Sequence, residues 1–127
     1  MGLALGDDHT GVVSPLEVVR CRGIAAAATV IADTLLRVGA ARAVIGLPTL
    51  ADGSTGPAAR RSELLAEAAR SLGVEVDLQP EYLSTHEARQ RAREAGRPPD
   101  RPVDDLAAQI ILEDYLARRS RTAGAKD

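Results

Sequence analysis

The run Ala43-Val44-Ile45-Gly46-Leu47 constrains this fold more than any other stretch, because it is continuously apolar and too short to stand as a helix. A strand without alternation has no face to give to water, and such strands are buried on both sides, as in parallel sheets. Its surroundings agree. Ile24, Ala28, Ile31, Leu35 and Val38 recur at three- and four-residue intervals, which predicts a helix from Gly23 to Val38 stopped by Gly39. After the apolar strand, Leu50 to Pro57 gathers Asp, Gly, Ser, Thr and Pro and reads as a loop. A helix from Ala58 to Leu72 and a strand from Val74 to Leu78 follow. Helices and strands in this alternation build an α/β sheet.

Upstream, Gly2 to Leu5 and Val12 to Val19 are rich in strand formers, and Gly6-Asp7-Asp8-His9-Thr10-Gly11 between them has the composition of a hairpin turn. The sheet is therefore expected to begin antiparallel and continue parallel. Downstream, Ser84-Thr85-His86-Glu87 fits a capping box that starts a helix running to about Ala95. Gly96 to Pro102 reads as an exposed loop, and a last helix runs from Asp104 to about Arg119. The expected organisation is one domain over residues 1–119 and a disordered tail over 120–127.

Composition narrows the function. With 127 residues, 45% of them hydrophobic, and a formal charge of -2, the chain can bury one core. It has no Trp or Phe, so that core is built from Ala, Val, Leu and Ile, and stacking of bases on an aromatic platform is a poor fit. Cys21 is the single cysteine, which excludes an internal disulfide and a Cys-rich zinc site; His9 and His86 make no metal-ligand spacing. The apolar stretch from Ile24 to Ala32 falls short of the roughly 20 residues a membrane span needs. The N-terminus carries no signal-peptide pattern. A cytoplasmic protein without a membrane partner is expected. Charge is unevenly spread: Arg89, Arg91, Arg93, Arg97 and Arg101 crowd one segment, which reads either as a solvated face or as a surface for phosphates.

Two carboxylates stand at element junctions. Glu81 follows the Val74 to Leu78 strand, and the C-terminal edge of a parallel sheet is where α/β proteins place ligands. Asp104 opens the last helix on a ridge with Ala108, Ile111 and Tyr115, facing the packed side, whereas Asp105 shares its ridge with Gln109 and Glu113 and faces water. Asp104 also suits a plain N-cap, and Glu81 a surface position before a turn. Together the pair points to a divalent-cation site, since hard cations such as Mg²⁺ take carboxylate and water ligands. The loop with Ser54 and Thr55 offers amides and hydroxyls beside a helix start; it can hold a phosphate or simply connect.

Read jointly and in order, four groups of residues resemble the YqgF (RuvX) family of RNase H-like nucleases. They are Gly2-Leu3-Ala4-Leu5-Gly6-Asp7, Gly46-Leu47-Pro48 with Asp52-Gly53-Ser54, Glu81 with Leu83-Ser84-Thr85 and Glu87-Ala88, and Val103-Asp104 with Ala107-Ala108 and Ile111-Leu112-Glu113. The resemblance implies an RNase H-like mixed sheet flanked by helices, Mg²⁺ or Mn²⁺ as cofactor, and nuclease activity in Holliday junction resolution or maturation of the 16S ribosomal RNA precursor. By position it makes Glu81 the catalytic glutamate and Asp104 the last catalytic aspartate, both metal ligands. The chain departs from the pattern at Pro80 and Tyr82, where the family has an acidic residue and an arginine.

The family also opens with a strand carrying Asp-x-Gly, ahead of the segment that here starts at Gly2. That strand would lie between the Gly2 strand and the Ala43 strand, both of which lose hydrogen-bond partners without it. Asp7 lies roughly 15 Å too far along to replace its aspartate, at about 3.3 Å per residue. A true start upstream is the expectation. The function expected on these grounds is a metal-dependent nuclease acting on structured nucleic acid, as monomer or homodimer. Arg89, Arg93, Arg97 and Arg101, with Ser54 and Thr55, would contact the backbone. The alternatives are a catalytically inactive RNase H-like module that binds nucleic acid or assembling ribosomes, and a small α/β protein whose acids are caps.

Overall fold

The structure, a computed structural model, describes residues 1–50, 52–83 and 105–125. In chain order its elements are β1 (Gly2–Gly6), β2 (Val13–Val18), α1 (Ile24–Val38), β3 (Ala43–Leu50), α2 (Pro57–Ser71), β4 (Val76–Leu83) and α3 (Asp105–Ala125). They form two compact units, Met1–Arg20 with Pro102–Asp127, and Cys21–Arg101.

In the first unit β1 and β2 pair antiparallel, from Gly2 opposite Val18 to Gly6 opposite Val13. Leu3 faces Glu17 but Ala4 faces Pro15, so Leu16 is an extra residue in β2. The bulge falls beside the proline, which has no N–H to give the ladder. At the tip, Asp7 N–H donates to Val12 O at 3.0 Å, and the Asp7 carboxylate accepts from His9 N–H at 2.8 Å. Helix α3 packs on both strands. Gly6 is what lets it come close: a Cβ there would fall 2.8 Å from Leu112 Cδ2 and 3.1 Å from Leu116 Cδ1. The ridge of Ala108, Ile111 and Tyr115 is half-buried; of the ridge expected to face water, Glu113 is exposed but Gln109 is half-buried. The helix continues to Ala125, beyond the expected end near Arg119.

The second unit is built on the parallel pair β3–β4, in register from Ala43 opposite Val76 to Leu50 opposite Leu83. Helix α2 covers one face with Ala59, Ala66 and Ala69, each wholly buried, and α1 packs on α2 through Ala28. Ala43 and Ile45 of β3 and Val76 and Leu78 of β4 meet these methyls. The interior is thus assembled from small and branched aliphatic groups, as a chain without Phe or Trp must do. Helix α1 ends where the sequence stops it: Gly39 takes the left-handed conformation at φ 70° and its N–H donates to Leu35 O. The buried Thr34 hydroxyl returns its proton to Val30 O at 2.7 Å.

Two expectations shift. Both β3 and β4 run past the ends read from the sequence, β3 through Pro48 to Leu50 and β4 through Pro80 to Leu83. Proline ends a central strand but is tolerated at an edge, and each of these strands has only one neighbour among the described residues. Among the described residues β1 bonds to β2 and β3 to β4, the antiparallel and the parallel pairing that the sequence predicts.

Candidate functional site

Alternation along β4 sorts its side chains. Val76 and Leu78 point into the core beneath α2, so Asp77, Gln79 and Glu81 share the opposite face, alongside Val44, Gly46 and Pro48 of β3. Glu81 therefore stands inside β4 rather than after it, half-buried, opposite Pro48 and close to the C-terminal end of the pair. The Asp77 carboxylate is about 13 Å back along the strand and is paired with Arg42 at 2.8 Å; Arg42 also reaches Glu75 at 3.4 Å. An ion-pair cluster of one arginine and two carboxylates thus occupies the N-terminal end of the pair.

Gln79 is a residue that sequence reasoning does not single out. It is 6% exposed, and its Nε2 donates to Pro80 O at 3.3 Å. The signal that finds it is the two-residue step back from Glu81, which places both on one face.

The loop after β3 leaves from the same end as Glu81, as parallel strands require. Leu50 N–H donates to Ser54 O at 3.0 Å and Gly53 N–H to Leu50 O at 2.9 Å, closing a tight turn. The Asp52 carboxylate accepts from Ser54 N–H at 2.9 Å and from the Ser54 hydroxyl at 2.6 Å. Those two bonds, the hydroxyl's first, hold the Asp52 carboxyl below the usual carboxylate range. The Ser54 hydroxyl has one proton, and Asp52 takes it, so a phosphate at Ser54 would have to displace a carboxylate. Thr55 is exposed. Helix α2 then starts at Pro57 with no side chain capping it and no acid in its first turn, which leaves its amide end open to an anion.

Asp104, Arg89, Arg93, Arg97 and Arg101 lie outside the described residues, as does the helix expected from Ser84. Among the described residues no three His, Cys, Asp or Glu side chains gather closely enough to share a metal ion. Glu81 offers one carboxylate near the C-terminal end of the β3–β4 face, and the Asp52 carboxylate in the loop after β3 is taken up by Ser54. One such oxygen donor suits a hard cation but does not complete a site. Nor is any described helix long and apolar enough to cross a membrane.

Comparison with known proteins carries this further. A family model described as "RuvX: Holliday junction resolvase" matches residues 1–118. A protein of Anaeromyxobacter sp. (strain Fw109-5) is 45% identical over 123 residues, covering 94% of this chain and 90% of the relative. One of Thermus thermophilus is 33% identical over 121 residues, covering 93% and 90%. One of Acidiphilium cryptum (strain JF-5) is 35% identical over 125 residues, covering 91% and 76%. All three carry the name "Putative pre-16S rRNA nuclease". With α/β pairs and helices in the order the RNase H-like pattern demands, and a match running through both units, the chain belongs to the RuvX (YqgF) family.

Proposed function

We propose that this protein is a divalent-metal-dependent nuclease that cleaves phosphodiester bonds in structured nucleic acid in the cytoplasm. The observation that carries the reading is the family match across residues 1–118, with Glu81 at the C-terminal end of parallel strands. The relatives' name favours precursor ribosomal RNA as substrate, and the family description favours a four-way DNA junction.

Glu81 and Asp104 hold Mg²⁺ or Mn²⁺. When bound, such a cation would supply activation of a water and charge stabilisation at the leaving oxygen. The chain's own residues position and neutralise. Arg89, Arg93, Arg97 and Arg101 contact backbone phosphates, and Thr55 with the open start of α2 adds donors at the same end as Glu81. Pro80 and Tyr82 leave Glu81 without the flanking acid and arginine of the family pattern, so fewer charges tune this site than that pattern supplies.

The test is cleavage of a labelled four-way junction and of a structured precursor RNA with Mg²⁺ or Mn²⁺, by the chain, by an upstream-extended form, and by Glu81→Gln and Asp104→Asn. Each variant is expected to lower kcat by about two orders of magnitude or more, the scale of losing several kcal/mol of charge stabilisation. Metal-independent binding without cleavage in every form would instead establish the non-catalytic binding module.

A further inference from the structure

Asp52-Gly53 is the one Asp-Gly pair of the chain, which has no asparagine. The peptide bond of such a pair rearranges easily, because glycine leaves the nitrogen after the aspartate unshielded. That nitrogen bonds to the side-chain carboxyl carbon, and its proton and the carboxyl hydroxyl leave as water, closing a succinimide ring. Water then adds to either ring carbonyl, restoring aspartate or leaving isoaspartate, whose backbone runs through the side-chain methylene. The fold itself asks for the glycine here. Gly53 sits at φ 85°, where a side chain is strained, although a Cβ would meet nothing within 4 Å. Both residues of the pair are exposed.

The same turn engages both reacting groups. Gly53 N–H donates to Leu50 O at 2.9 Å, so the nitrogen that would attack has its proton held. One Asp52 oxygen, Oδ1, accepts from Ser54 N–H at 2.9 Å and from the Ser54 hydroxyl at 2.6 Å, and swinging the carboxyl carbon onto Gly53 breaks both bonds. Those bonds also favour the ionised carboxylate, which has no hydroxyl to lose. We propose that Asp52-Gly53 is a latent isomerisation site, closed in the folded turn by Leu50 O and Ser54 and reactive only while the turn is open.

Ageing of the full chain at neutral pH tests this, with isoaspartate counted by enzymatic methylation of its carboxyl and located by peptide mapping. The folded chain is expected to form isoaspartate at Asp52 several-fold more slowly than the same chain in urea. Ser54→Ala removes the hydroxyl donor and is expected to speed the folded chain several-fold; Ser54→Thr keeps both donors and is expected to age as the parent does. Should Ser54→Ala not fold, the comparison of folded with unfolded parent, and of Ser54→Thr with the parent, still decides. Equal rates for folded and unfolded parent would show that the turn closes nothing. A folded Ser54→Ala chain ageing at the parent rate, or a folded Ser54→Thr chain ageing faster, would remove Ser54 from the account and overturn the proposal. Isoaspartate absent from Asp52 even in urea would mean that no such site exists.

Discussion

At the scale of single residues, the turn after β3 shows how hydrogen bonding sets charge. Asp52 is fully exposed, yet two donors from Ser54 favour its ionised form. Its folded pKa lies below its unfolded one, so the turn gains from these bonds above the unfolded value and loses them as pH falls through the folded value. In a carboxyl-detected NMR titration Asp52 is expected to titrate below an ordinary exposed aspartate, and Ser54→Ala to move it back up. An unshifted midpoint in Ser54→Ala would disprove the contact. Glu81 stood out in the sequence because it was read as following a strand end, and the structure places it within β4, near that strand's C-terminal end. Gln79 did not, because nothing in the residue type distinguishes a buried amide from a surface one. Only the finding that Val76 and Leu78 enter the core fixes which face Gln79 and Glu81 share.

At the scale of elements, the first two helices were legible almost to the residue. Spacing and Gly39 mark α1, and α2, expected from Ala58 to Leu72, starts one residue earlier at Pro57, which the sequence reading left in the loop. Strand ends were not, because Pro48 and Pro80 read as breakers when the number of neighbouring strands is unknown. The contact of β1 with α3 was invisible for a related reason: Gly6 looks like part of a turn, and its second role, admitting Leu112 and Leu116, exists only once the helix is in place. Gly6→Val is expected to destabilise the protein by about 1–3 kcal/mol through overpacking, measured by chemical denaturation. Leu112→Ala in the same chain should recover part of that loss, since two residues in contact do not contribute additively. Strict additivity would mean that the two do not touch.

At the scale of the whole molecule, a formal charge of -2 conceals the arginines between residues 89 and 101. Binding to nucleic acid through them is expected to fall linearly on logarithmic axes of affinity against salt. Replacing Arg93 and Arg97 by Gln should make that slope shallower by about 1.4–1.8, two phosphate contacts at 0.7–0.9 each. An unchanged slope would remove these two from the interface. The α/β class was legible from the alternation of helices and strands. The division into two units was not, because which strands pair is decided by backbone ladders that leave no mark on composition.

That division has a spectroscopic consequence. The protein's only phenol or indole side chains are two tyrosines, and they fall one to each unit: Tyr115 on α3, with Arg119 donating to its hydroxyl at 2.8 Å, and Tyr82 on β4. No tryptophan outshines them. Tyr82→Phe leaves fluorescence that reports only the β1–β2–α3 unit, and Tyr115→Phe leaves fluorescence that reports only the β3–β4 unit. The two emission curves, recorded through one denaturant titration, will coincide if the units melt as a single cooperative body and separate if each melts alone.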